Sequence, residues 1–241
     1  MEPFYFGKDG DLFGMYHVAE GIPRKHGILI AGPLLNEGIR AQFALRLIAD
    51  RCAALGYEVL RFDYAGMGNS VGRPANYTVD HWQQDIITAA GELADVSGVE
   101  AKTLLCVRFA ASLAANVSQS VRFDRLLLWD PVLTGNDWLA ELREARQSLP
   151  KLLLDSVGRD DEFSGHVVNP DFVEDLVARD ISRFNADSVF AVISRDYRRE
   201  DQLRQFSGNT TTVESDCRWR TGASEVLYPG DVIESICSQL T

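Results

Sequence analysis

The stretch Thr103–Ala115, TLLCVRFAASLAA, limits what this chain can fold into more than any other. The apolar run Leu104-Leu105-Cys106 gives way within a few residues to Ala110-Ala111-Ser112-Leu113-Ala114-Ala115, small residues suited to a helix. A buried strand, a sharp turn and a helix packed close to that strand satisfy this pattern. The turn reads Cys106-Val107-Arg108-Phe109-Ala110, which is small-x-tip-x-small, the pattern of a nucleophile elbow whose tip carries Ser, Cys or Asp. Here the tip is Arg108. A guanidinium stays protonated and cannot attack a carbonyl.

The rest of the chain alternates strands and helices around that unit. Phe4–Phe6 and Leu12–Val18 flank the turn Gly7-Lys8-Asp9-Gly10 and predict a β-hairpin. Gly27–Ile30 predicts a buried strand, followed by a loop over 31–38 and a helix from about Ile39 to Leu55 that Gly56 terminates. A strand over Tyr57–Asp63, a turn to Ser70 and a helix over Thr78–Leu93 come next. Beyond the elbow, strands are predicted at Arg125–Asp130, Ser188–Ser194 and Thr211–Cys217, with a closing helix at Asp231–Leu240. Apolar strands alternating with helices predict an α/β fold, a mostly parallel doubly wound sheet. Ligands of such sheets bind beyond the carboxyl ends of the strands. The loops at 31–38, 64–72, 106–110 and 130–135 are therefore expected on one rim.

Residues 135–185 break the rhythm with amphipathic helices, clearest at Trp138–Leu149 and Asp171–Asp180, around a polar loop at 158–165. They predict a helical lid, which divides the core into a first part (1–134) and a last part (186–241). A formal net charge of -11 argues against nucleic acid or an anionic membrane as partner. The cysteines Cys52, Cys106, Cys217 and Cys237 lack metal-ligand spacing and are read as reduced and buried. No metal or cofactor is expected. The opening MEPFYFGKDG has no basic or apolar leader character, and no run approaches about 18 apolar residues. A cytoplasmic location without a membrane span is expected.

The loop GPLLNEG, the turn RFDYAGMGNSVG, the elbow LLCVRFAA and the lid together resemble the α/β-hydrolase superfamily. FDYAGMGNSVG is similar to the D-x-x-G-x-G-x-S-x-G turn of its serine aminopeptidase and monoglyceride-lipase branch. The opening PFYFGKDGDLFGMYH, the loop carrying Pro33 and Glu37, and LLLWDPVLTG further resemble hydrolases associated with bacterial exosortase systems, whose elbow tends to carry Arg in place of Ser. The resemblance implies an ester, thioester or amide hydrolase.

The residues of this chain depart from that chemistry. Ser-His-Asp catalysis needs a nucleophile, an imidazole, an orienting carboxylate and backbone donors for the oxyanion. Cys106, two residues before the tip, is expected to pack against the following helix, and Ser112, one turn into that helix, to face away from the rim. The superfamily's histidine follows the last strand, where this chain reads RWRTGASEVLYP and has none. His17, His26 and His81 are expected in structural places, leaving only His166 near the lid. Asp196 stands where the resemblance puts the acid. The oxyanion donors would come from Phe109 and from Leu34 or Leu35, since Pro33 has no N–H.

A buried Arg108 needs a counter-charge. Either Glu37, Asp196 or Asp130 bridges it and closes the pocket, or it holds the carboxylate, phosphate or oxyanion of a ligand, with Glu37 as a base or a positioning group. The predicted function is binding or transforming an acidic or acyl-bearing small molecule without a Ser acyl-enzyme. Two alternatives stand beside it: a non-catalytic protein acting through protein contacts in a biosynthetic or export pathway, and an esterase or thioesterase with a relocated nucleophile. Trp129, Trp138 and Trp219 could line a pocket or simply pack. Arg195, Arg198, Arg199 and Arg204 could meet an acidic protein or balance a local surface.

Overall fold

The computed structural model describes residues 1–147, 162–163, 165–179, 184–203, 209–219 and 225–240. Its strands are β1 (Glu2–Phe6), β2 (Leu12–His17), β3 (His26–Ala31), β4 (Glu58–Asp63), β5 (Ala101–Val107), β6 (Phe123–Trp129), β7 (Glu162–Phe163), β8 (His166–Val167), β9 (Ala186–Ile193) and β10 (Thr210–Thr212). Its helices are α1 (Leu35–Ala54), α2 (Val79–Ser97), α3 (Ala110–Ser120), α4 (Gly135–Gln147), α5 (Phe172–Val177), α6 (Glu200–Leu203) and α7 (Gly230–Ser238). Eight strands form one sheet in the order β1-β2-β4-β3-β5-β6-β9-β10. The hairpin β1–β2 and the pair β2–β4 are antiparallel, and the remaining pairs are parallel.

The central strands carry apolar residues on both faces over much of their length because helices cover both sheet faces. Leu29, Leu60, Leu104 and Leu128 join one core with Trp82, Ile86 and Leu93 of α2 and Leu113 of α3. Their chain neighbours Ile28, Val59, Leu105 and Trp129 turn the other way, toward Ile48 of α1 and Val232 and Ile236 of α7. This period of two puts every second strand residue in each core. Alanines 110, 111 and 114 of α3 are fully buried, so the helix after the elbow lies close to the sheet.

The turn after β4 shows what its motif does. Asp63 accepts hydrogen bonds from the Asn69 N–H (2.9 Å) and side-chain amide (3.3 Å). Ser70 Oγ donates to the Asp63 carbonyl (2.6 Å) and accepts from the Phe13 N–H (2.9 Å), tying the turn to the hairpin. Gly68 sits at φ 52° with its missing Cβ only 2.2 Å from Asp63 Oδ2, so a side chain there would be strained and would displace the Asp63 carboxylate that holds the turn.

Some predicted boundaries move. Helix α1 begins at Leu35 and not near Ile39, although Leu34 at its N-cap supplies no side-chain cap. The sequence therefore carries no start signal there. The predicted strand Thr211–Cys217 shortens to Thr210–Thr212 because side chains capture its next amides. The Glu214 and Ser215 N–H groups donate to Asp231, and those of Cys217 and Arg218 donate to Asp196. The second amphipathic helix covers Phe172–Val177 only. The end of the helix predicted to Leu149, most of the polar loop 158–165, and Arg204 lie outside the described residues. Among the described residues, no helix is long and apolar enough to cross a membrane.

Candidate functional site

Strand β5 delivers Arg108 to a tight turn. Its φ is 58°, in the left-handed region that a nucleophile elbow imposes on its tip. The backbone fixes that turn: Arg108 N–H donates to the Trp129 carbonyl (3.0 Å), and its carbonyl accepts from Ala111 and Val132 (both 3.1 Å).

The guanidinium, only 2% exposed, meets protein at each nitrogen. Nε donates to Glu37 Oε1 (3.1 Å), Nη1 to the Asp130 carbonyl (2.8 Å) and Nη2 to Glu141 Oε2. Its centre lies 5.2 Å from the Trp219 ring centroid, a cation–π contact. Glu37 comes from the first turn of α1 and also accepts from Trp138 Nε1 (3.3 Å). Glu141 comes from α4 and is shared with Arg199, which also pairs with Asp137. Burial alone would lower the Arg108 pKa, but the carboxylates of Glu37, Glu141 and Asp130 override it and hold the cation charged. Burial pushes Glu37 up, with Arg108 opposing. Only about 10 Å³ remains free between Glu37, Arg40, Glu141 and Trp219, the lower limit for a single water.

Asp130, fully buried at φ 44°, sits at the end of β6. It accepts from the Ser194 N–H and Oγ and from Trp219 Nε1, each at 2.7 Å. Trp219 follows the last strand, the segment where the superfamily resemblance expects histidine. Its indole N–H donates to Asp130 and its ring faces Arg108. Trp219 thus lies between Arg108 and Asp130, and its indole N–H is a donor only. Asp196 does not touch Arg108. It accepts from Ser194 Oγ (2.9 Å) and from the Cys217 and Arg218 amides, and so shapes the segment that presents Trp219.

The other predicted residues fall as follows. Phe109 stacks on Trp138 with ring centroids 4.4 Å apart, closing the elbow from the α4 side. Leu34 and Leu35 are buried, and the Leu35 N–H, at φ 54°, points to Met67 Sδ (3.4 Å), a weak acceptor. Cys106 is fully buried and burial raises its thiol pKa far above the ordinary value. Ser112 is buried in the first turn of α3. Trp129 packs edge-on against Trp219 (5.5 Å). Arg195 forms a two-point pair with Asp216, and Arg198 approaches Glu144 (3.9 Å).

Sequence reasoning missed Glu141 and Trp219 as partners, and it missed a second site. A cavity of about 660 Å³ opens beside the 32–35 loop, between α1 and the face of β2, β3 and β4. His166 lines it, as do Arg61 and Asp63, whereas Arg108, Glu37, Phe109, Asp130 and Asp196 do not. Burial lowers the His166 pKa and so favours its neutral ring. Alternating polar residues along β4 were the only sequence trace of this cavity. Among the described residues, no group of three or more His, Cys, Asp or Glu side chains is placed to hold a metal.

No family model matches the chain. A mouse mitochondrial palmitoyl-protein thioesterase, ABHD10, is 36% identical over 69 residues, which are 28% of this chain and 22% of that protein. Its bovine counterpart is 40% identical over 48 residues, 16% of its length. The matched stretch thus spans about a fifth of these relatives. Solved structures match nearly the whole chain. Est1E from Butyrivibrio proteoclasticus with ferulic acid bound gives a TM-score of 0.68 at 15% identity, covering 98% of this chain and 97% of that one. Mouse ABHD10 gives 0.64 at 17%, covering 99% and 97%. An α/β serine hydrolase homologue from Coxiella burnetii gives 0.62 at 17%, covering 100% and 97%. The chain has the α/β-hydrolase fold. The finer likeness to exosortase-associated hydrolases has no counterpart among these proteins.

Proposed function

We propose that this α/β-hydrolase-fold protein binds an acyl- or carboxylate-bearing small molecule and forms no Ser acyl-enzyme. One observation carries the reading: at the elbow tip, Arg108 has a protein partner for each guanidinium nitrogen, so neither a nucleophile nor room for a scissile carbonyl is present there. Trp219 in the base position adds to it, since an indole N–H donates and accepts nothing. The acyl class draws support from the thioesterase relatives, whose names specify a palmitoyl-protein substrate. Relocating the nucleophile to Cys106 or Ser112 would require opening the sheet–α3 interface, because both are buried.

In this reading the α4–α5 excursion is a lid held down by charge. Glu141 of α4 bridges Arg108 on the core and Arg199 before α6. A panel of short and long p-nitrophenyl esters and a palmitoyl thioester, run with wild type and Arg108→Ala, tests the proposal. The expected result is no turnover by either protein, with thermal stabilisation by long-chain carboxylates. Turnover that survives Arg108→Ala would overturn it and direct attention to Cys106 and Ser112.

A further inference from the structure

A carboxylate-bearing ligand needs a cationic anchor. Its obvious anchor, Arg108, is already neutralised by Glu37 and Glu141. A second arginine feels the Asp63 and Asp50 carboxylates at longer range but is in direct contact with neither. Arg61, on β4, lines the 660 Å³ cavity and makes no ion pair within 4.0 Å among the described residues. Its Nε donates to His17 Nε2 (3.3 Å) and its Nη1 to Gln42 Oε1 (3.1 Å), while Nη2 bonds no described residue. The two contacts orient the fork, the one to Gln42 at the solvent-exposed side. His17 is itself buried and fixed by Asp50, whose Oδ1 lies 2.9 Å from Nδ1. With Nδ1–H donating and Nε2 accepting, His17 is neutral and can orient Arg61 without repelling it.

The cavity otherwise suits an apolar chain. Phe13 and Met15 of β2, Ile30 of β3, and Leu45 and Ile39 of α1 line it, with Met67 from the turn after β4. Its volume falls within the range of about 300–1,000 Å³ typical of small-molecule sites. Asp63 also lines it, but its carboxylate already accepts from Asn69 and from Gln42 Nε2 (3.4 Å). At one edge Ile39 is 63% exposed, and one helical turn on, Phe43 meets Tyr228 with ring centroids 5.9 Å apart. This rim continues the apolar lining to the surface.

Building on the reading that the protein binds an acyl- or carboxylate-bearing molecule, we propose that the cavity between α1 and β2–β4 binds a long-chain carboxylate. Arg61 anchors the head group and the apolar wall takes the chain. Asp50 and His17 are positioning residues for Arg61. A planar guanidinium with an open edge favours a carboxylate over a neutral head group, and a charge-assisted contact of this kind is worth about ten- to a hundredfold in affinity.

Isothermal titration calorimetry with dodecanoate and dodecanol tests this on the full chain. The variants are Arg61→Met, Arg108→Met and Ile39→Glu, each checked for folding by circular dichroism. Wild type is expected to prefer dodecanoate. Arg61→Met should weaken dodecanoate by about ten- to a hundredfold and leave dodecanol nearly unchanged. Ile39→Glu, at an exposed position that folding tolerates, should weaken dodecanoate more than dodecanol. Equal affinity for the two probes in wild type would overturn the Arg61 anchor. Dodecanoate binding that is lost in Arg108→Met and kept in Arg61→Met would overturn the cavity site while leaving the proposed function standing. Failure of wild type to bind either probe would overturn both.

Discussion

Replacing Arg108 with methionine removes the charge at the elbow tip and keeps much of the side-chain volume. The consequence follows from what each partner retains. Glu141 keeps Arg199, so its charge stays compensated. Glu37, 7% exposed, keeps only the Trp138 N–H among its hydrogen bonds to described residues. Breaking a buried ion pair from one side costs about 3–5 kcal/mol, because the remaining charge is stranded. The lower half of that range applies here, since Arg199 shields one carboxylate and Glu37 can take up a proton. Burial already raises the Glu37 pKa, and loss of the opposing Arg108 raises it further. A carboxylate whose folded pKa lies above its unfolded value loses stability as pH rises through that interval. Arg108→Met should therefore cost about 3 kcal/mol at pH 8 and distinctly less at pH 5. The corresponding fall in melting temperature is roughly 6–12 °C for a chain of this size. Adding Glu37→Gln, which keeps an acceptor for Trp138, should restore more than half of the loss. Urea unfolding followed by tryptophan fluorescence at both pH values measures this. A cost below about 1 kcal/mol at pH 8, or losses from Arg108→Met and Glu37→Gln that simply add, would refute the reasoning.

Three further outcomes follow from the same contacts. Asp85 is buried on α2 and accepts from the Ala65 N–H, and burial pushes its pKa up to about 7. Stability that wild type loses between about pH 4 and pH 7 through this group should be absent in Asp85→Asn, seen as a flatter melting-temperature profile. Gly68→Ala should destabilise by about 1–3 kcal/mol in chemical unfolding, since its Cβ would collide with Asp63 at a positive φ. If Trp219 occupies the base position, the combination Arg108→Ser, Trp219→His and Glu37→Gln should gain slow ester hydrolysis. Arg108→Ser with Glu37→Gln alone should not, and equal rates in the two would argue against that placement.

The elbow was legible because two local signals coincide, an apolar run and a run of alanines, although distant backbone at Trp129 and Val132 also ties the turn between them. The motif at 63–72 was legible because its hydrogen bonds stay mostly within the turn. The site's partners were not. Glu141 sits on an amphipathic helix whose acids read as solvated, and only the docking of α4 buries it. Trp219 and Asp130 are 89 residues apart and neither carries a local signature. Arg61 and Asp63 alternate along β4 as on a solvent-facing strand, yet α1 lies over that face and walls an open cavity. Glu37 was named as a partner of Arg108 from the rim alone, and the two are in contact. Long-range pairing of charge depends on docking geometry, which periodicity does not encode.

With Arg108 at its tip, the elbow is proposed to present no nucleophile. Intact-protein mass spectrometry after incubation with a fluorophosphonate probe tests it most directly. An unchanged mass is expected in wild type and in Arg108→Ala at probe concentrations that fully label a Ser-His-Asp hydrolase. A single stoichiometric adduct on the wild-type chain would contradict it.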